Sequence, residues 1–221
     1  MPLTLARPEA VIFDMDGLLL DSERVALDLL AQAADSLSLP WQAEVGLSMV
    51  GLNSRDSDAL MLNAYGADYP VADLRQRFGE LYEAAIAEGL IEPKPYVREL
   101  LARLEAQRIP CAVATSTRRT RAEAKLIRAH LMPHFKALAC GDEVTRGKPA
   151  PEIFELAARR IGAQPTKCLV LEDSNAGVRG AVAASMKVVM IPDMLRPDAD
   201  IRRLGVPVVN SLREVLAALS I

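Results

Sequence analysis

Ala10-Val-Ile-Phe-Asp-Met-Asp-Gly17 is the stretch on which the reading of this 221-residue chain turns. Four apolar residues, three of them β-branched or aromatic, run straight into an acid pair and a glycine. The run is too short for a helix and does not alternate, which predicts a strand buried on both faces, as parallel sheets require. Working outward, runs of the same kind recur at Pro110–Ala114, Ala137–Cys140, Cys168–Leu171, Val188–Ile191 and Pro207–Val209. Helical patterns separate them at Val97–Ala106, Arg119–His130, Glu152–Ile161, Asn175–Ala184 and Leu212–Leu219. Strand and helix in alternation predict an α/β fold, a doubly wound parallel sheet.

One interval breaks the alternation. Between Asp21 and Glu92 no run reads as a strand, and helix patterns fit instead: from Ser22 to about Leu37, from Ser54 or Asp56 to about Tyr65, and from Val71 to Glu88. The expected organisation is a core of residues 1–20 and 93–221 with an inserted helical domain, residues 21–92. The hinges are expected near Gly17–Leu20 and Gly89–Pro95, where glycine and proline punctuate the chain. Ligands of open α/β sheets bind at the carboxyl ends of the strands, which is where such an insertion would sit.

Composition narrows the function classes. The chain is 51% hydrophobic, 25% charged and 4% aromatic, which excludes collagen-like, disordered and coiled-coil classes. A net charge of −3 offers no basic footprint, so no nucleic acid and no anionic membrane is expected as partner. No eighteen-residue apolar run occurs. Cys111, Cys140 and Cys168 are odd in number and lack metal spacing, and the opening residues lack a signal-peptide pattern, so the expectation is a cytoplasmic protein with reduced thiols. With no heptad seam or clear apolar stripe, a monomer or weak homodimer is expected.

Four clusters could carry chemistry. Asp14 and Asp16 stand two apart, so on an extended backbone both carboxylates point to one side, fit for a divalent cation or for a nucleophile beside a general acid. A solvated turn is the alternative, and Gly17 suits one. An EF-hand is excluded, because its fifth and twelfth positions would be Leu18 and Val25. Thr115-Ser116-Thr117 lies at a strand-to-helix junction, where hydroxyls and amides seat an anion or merely cap the helix. Lys148, in Gly147-Lys-Pro-Ala-Pro151, is held in a rigid turn or is solvated surface. Glu172-Asp173 ends a buried strand; capping by Asp173 or Ser174 accounts for one acid and leaves Glu172 unexplained. All four clusters lie at the same end of successive strands, and together they supply what phosphoryl transfer needs.

These residues resemble the haloacid dehalogenase superfamily, in particular its β-phosphoglucomutase-like branch of phosphatases and mutases. Phe13-Asp-Met-Asp-Gly-Leu-Leu-Leu-Asp-Ser-Glu23 is similar to the first motif, Ala114–Thr117 to the second, Gly147–Phe154 to the third and Leu171–Gly177 to the fourth. The resemblance implies an inserted helical cap over a Rossmann-like core. It implies Asp14 as nucleophile, forming an aspartyl-phosphate, and Asp16 as the acid and then base, with its main-chain carbonyl on the metal. It implies Thr115 and the amides of Ser116 and Thr117 on the phosphoryl oxygens, and Lys148 neutralising charge. Asp14, Asp16, Glu172 and Asp173 would form the Mg2+ site, Glu172 either touching the metal or backing Asp173.

Departures from the family patterns narrow the activity. Dehalogenases of this type lack the second acid of the first motif, and Asp16 is present. No Lys precedes Lys94, so the cap has none for a Schiff base, and Ala26 stands near the histidine position of the mutases. The expected activity is therefore Mg2+-dependent hydrolysis of a small phosphorylated metabolite such as a sugar phosphate, with a sugar phosphomutase or a silent metal- and phosphate-binding module as rivals. Val50–Arg55 resembles the family's specificity loop. Arg55, Glu23 and Asn175 are thus candidate substrate contacts, while Trp41 and Tyr65 are expected to pack the cap, and His130 and His134 have no expected role.

Overall fold

A computed structural model of the chain describes residues 3–52 and 54–219. From the amino end the elements are β1 (Ala10–Phe13) and four helices: α1 (Ser22–Ser36), α2 (Ala43–Met49), α3 (Ser54–Tyr65) and α4 (Val71–Glu88). The alternating part follows as α5 (Val97–Ala106), β2 (Cys111–Thr115), α6 (Arg119–Arg128), β3 (Ala137–Cys140) and α7 (Glu152–Ile161). It continues through β4 (Cys168–Glu172), α8 (Asn175–Ala183), β5 (Lys187–Met190), α9 (Ala199–Leu204) and α10 (Leu212–Ala218).

The strands form one parallel sheet in the order β3-β2-β1-β4-β5. Strands β1, β2 and β4 are buried along their whole length, which explains their unbroken apolar character. Helix α7 packs on β1, β2 and β3, and α8 on β4 and β5. Ile12, Ala112, Val170 and Met190 of the sheet meet Ile153, Phe154 and Val178 of these helices in one core. Each large side chain fully enclosed there contributes about 1.5–3 kcal/mol. The chain extends the sheet from β1 to one side through β2 and β3 and to the other through β4 and β5. The reversal point, where α/β folds take ligands, therefore lies beside β1.

Contacts divide the chain into two compact units, residues 1–21 with 92–221, and residues 22–91. The second unit is helical, and its core joins Ala33, Ala34, Met49, Met61, Tyr69 and Leu74. Trp41 and Tyr65 pack there as expected, with the Tyr65 and Tyr69 rings stacked at 4.5 Å between centroids. On the core side, the two chain crossings lie side by side. Leu20 and Pro93 form an antiparallel bridge, and the Asp21 amide donates to the Glu92 carbonyl at 2.9 Å. Lys94 pins this ribbon, reaching Asp193 at 2.5 Å and Asp21 at 3.6 Å.

One expectation needs correction, and two helices have no counterpart in the sequence pattern. Pro207–Val209 is not a strand: Val208 makes an isolated bridge to Met190, because a three-residue run opening on proline has few amides to extend a ladder. Helix α2 was not anticipated; its N-cap Gln42 makes no side-chain cap and Gly46 interrupts its pattern. Helix α9 was also missed, although Asp198 caps it by accepting from the Ile201 amide at 2.9 Å. No helix among the described residues is long and apolar enough to cross a membrane.

Candidate active site

Register builds the site. Phe13 pairs with Val113 on one side and Leu171 on the other, so the next residues of the three strands, Asp14, Ala114 and Glu172, reach the carboxyl rim together. The Asp14 amide still donates to the Leu171 carbonyl at 3.0 Å, which fixes the start of the loop. Gly17, at φ 86°, turns the chain back, its amide donating to the Leu20 carbonyl at 2.9 Å.

Lys148 arrives from the turn before α7, its peptide to Pro149 cis, and donates to both Asp14 and Glu172, the latter at 2.6 Å. Its ammonium also lies 5.1 Å from the centre of the Phe154 ring. Glu172 is wholly buried and answers the question its position poses. One oxygen takes Lys148; the other accepts from the Ser174 amide at 2.7 Å and hydroxyl at 2.9 Å. Ser174, not Asp173, caps α8, accepting from the Gly177 amide at 3.0 Å. Gly177 is required: a Cβ there would stand 1.6 Å from Glu172 Oε1.

Asp14, Glu172 and Asp173 are all buried, with carboxylate oxygens within 4.8 Å of one another. Burial pushes the Asp14 carboxyl up; Lys148 pulls it back, Glu172 and Asp16 push it further, and the balance stands at about 8. Burial disfavours the Lys148 ammonium, but Asp14 and Glu172 more than reverse this and hold it charged. Asp14 and Glu172 thus share one enclosed ammonium, with the Asp173 carboxylate beside them. The donors are hard oxygens, the set that suits Mg2+.

Asp16 departs from the geometry expected of an i, i+2 pair. Its carboxylate is not part of the trio, because the strand ends at Phe13 and the loop turns the side chain toward α6. There Oδ2 accepts from the Thr117 hydroxyl and Oδ1 from Lys125 Nζ, each at 2.7 Å. Thr115 is buried, and its hydroxyl accepts from the Thr117 amide at 3.1 Å. Neither Ser116 nor Thr117 caps α6; the N-cap residue is Arg118, and the Arg119 amide donates instead to Asp142. Ser116 is exposed on the loop, and its backbone lies so close to Gly141 that a Cβ there would meet its carbonyl at 2.1 Å.

Asn175, Glu23 and Arg55 are the remaining candidates. The Asn175 amide is spent on the loop after β5: Oδ1 accepts from the Asp198 amide at 3.0 Å and Nδ2 donates to the Arg196 carbonyl at 3.2 Å. Glu23, in the first turn of α1, and Arg55, exposed on α3, belong to the helical unit. The neighbouring residue Asn53 of the expected specificity loop falls outside the described residues. The three thiols are free and buried, pushed up by burial to about 12 for Cys111 and about 11 for Cys140 and Cys168. Such thiols are poor nucleophiles. Sequence reasoning missed Lys125. The available signal was its place on the inward stripe of α6, between Ala122 and Leu126, where a helix ordinarily puts apolar residues.

A family model described as haloacid dehalogenase-like hydrolase matches residues 8–185. The chain belongs to this family. Within it, the chain is 34% identical over 179 residues to a phosphorylated carbohydrates phosphatase of Thermotoga maritima, covering 81% of this chain and 82% of that one. It is 31% identical over 183 residues to the fructose-1-phosphate phosphatase YqaB of Escherichia coli, covering 83% and 96%. A haloacid dehalogenase family hydrolase of Deinococcus radiodurans, solved with bound phosphate and sodium, superposes with a TM-score of 0.81 at 28% identity, over 98% of this chain and 96% of that one. The α/β core just described is therefore that of the haloacid dehalogenase-like hydrolases.

Proposed function

We propose that this chain is a phosphoric monoester hydrolase that cleaves a small phosphorylated metabolite, a sugar phosphate foremost, in two steps through an aspartyl-phosphate. The observation that carries this is the enclosed contact of Lys148 with both Asp14 and Glu172 beside Asp173 at the carboxyl rim. Family membership and phosphatase relatives of matching length support the reaction class.

In the first step an Asp14 oxygen bonds to phosphorus while the ester P–O bond breaks, and Asp16 gives its proton to the departing oxygen. In the second, water attacks the phosphorus of the aspartyl-phosphate and yields its proton to Asp16, which releases inorganic phosphate and restores Asp14. The Thr115 hydroxyl, oriented by the Thr117 amide, and the Ser116 amide hold the phosphoryl oxygens, and Lys148 balances charge on them and on Asp14. Asp14, Asp173 and the Asp16 main-chain carbonyl would hold Mg2+, with Glu172 engaged by Lys148 and Ser174 behind them; the ion would supply charge neutralisation that one ammonium cannot. Residues 22–91 act as the helical cap, and Glu23 and Arg55 bear on substrate choice.

The test is phosphate release from a panel of sugar phosphates with Mg2+ and with excess EDTA. Release that depends on Mg2+ is the expected result. Isomer formation that requires a sugar bisphosphate would assign a phosphomutase instead, and silence across the panel would remove the enzymatic reading.

A further inference from the structure

We infer that Lys125 is a positioning residue, which holds the carboxylate of Asp16 in the orientation its proton transfers need; the inference rests on the role proposed above for Asp16. Lys125 is 4% exposed and lies on the inward face of α6 with Ala122 and Leu126. An ammonium at such a place costs several kcal/mol unless a partner compensates it. Helix formation does not ask for it, since an apolar residue would serve that stripe at no such cost.

What it does is complete a clamp. Asp16 lies beyond the end of β1, in a loop bridged at Leu20 that turns its side chain toward α6. Lys125 takes Oδ1 and Thr117 takes Oδ2, each at 2.7 Å, so rotation about both side-chain bonds is stopped. The two donors stand on consecutive parts of one element, the loop that carries Thr115–Thr117 and the helix that follows it. The group that moves the proton and the loop assigned to the phosphoryl oxygens are thereby tied into one rigid piece. A displacement of about 1 Å at a reacting group can cost a hundredfold in rate, so such a tie acts on turnover and not only on stability.

The chemistry supplies a readout that a merely structural role would not move. A sugar leaves as an alkoxide and needs the Asp16 proton as its P–O bond breaks, whereas dinitrophenolate leaves without one. Lys125→Met is expected to lower kcat on the best sugar phosphate by roughly 10- to 100-fold with KM changed less than about threefold, and to lower the Asp14-phosphorylating step on 2,4-dinitrophenyl phosphate less than about threefold. Lys125→Gln, which keeps a shorter neutral donor, is expected to fall between wild type and Lys125→Met, and carries the test if the methionine variant fails to fold. Equal losses on the two esters, or no loss on either, would overturn the inference while leaving the phosphatase reading intact. If wild type hydrolyses neither ester, that reading fails and takes the inference with it; the orientation is read separately, in a crystal structure of the variant. Asp16 turned away from Thr117 is the expected result there, and Asp16 unmoved would overturn it.

Discussion

The sheet rim and the helical unit are built by opposite rules. The charged residues that are buried among the described residues are Asp14, Glu172 and Asp173, at the carboxyl rim of the sheet, and Lys125, which reaches Asp16 beside it. The core of the helical unit is alanine, methionine, leucine and stacked tyrosine, and its ion pairs, such as Arg75 with Asp58, are half exposed. Buried charges are costly and tolerate little change, so the rim is a place where each partner fixes the next. A core of ordinary apolar contacts tolerates substitution as long as volume is kept. The first arrangement admits little variation, and the second admits much.

The contrast can be broken by substitution. Asp14→Asn removes the proposed nucleophile and is expected to lower kcat about a thousandfold or more while Tm changes little or rises, since an enclosed carboxylate is removed; turnover that survives it would dissolve the rim's special status. Gly177→Ala sets two magnitudes against each other. Alanine favours the helix by about 1 kcal/mol, but its Cβ displaces Glu172 from Lys148, and breaking a buried pair costs about 3–5 kcal/mol, so a net loss of about 2 kcal/mol or more is expected in urea unfolding.

Arg55→Ala belongs to the other side of the comparison. It is expected to raise KM for the best sugar phosphate roughly tenfold with kcat and stability nearly unchanged. An unchanged KM would take Arg55 out of recognition.

The smallest effect separates the rim from its outer support. Glu143 holds Arg119 and Arg160 together, and its carboxyl is pulled down to about 2 by Arg160, against burial, with Arg119 adding to the pull. A lowered carboxyl stabilises the fold above its ordinary value near 4.5 and loses that contribution as pH falls toward 2. Glu143→Gln is therefore expected to cost about 1–2 kcal/mol at neutral pH, solvent screening included, and the gap to wild type should close between pH 4.5 and 2 in urea titrations.

Much of the rim is legible in sequence because its residues obey no packing rule. Acids that close apolar runs, as at Asp14 and Glu172, have no reason to exist in a core, so they signal themselves. What sequence pattern misses is direction. The i, i+2 spacing of Asp14 and Asp16 suggests a shared target, but the strand stops at Phe13, and Lys125 with Thr117 takes the second acid aside. A lysine in a helix reads as solvent-facing until the neighbouring Ala122 and Leu126 are seen to be buried with it. Helix α2 is illegible for a different reason: without a capping side chain and with a mid-helix glycine, it owes its existence to packing in its own unit.

The ribbon at Leu20–Asp21 and Glu92–Lys94 has a consequence for how such proteins diversify. Both ends of a seventy-residue excursion meet at one bridge, a few ångströms apart, so the sheet experiences the whole excursion as if it were a hairpin tip. Closing a loop grows dearer only with the logarithm of its length, and a lineage could therefore lengthen, shorten or replace that cassette while the α/β unit folds as before.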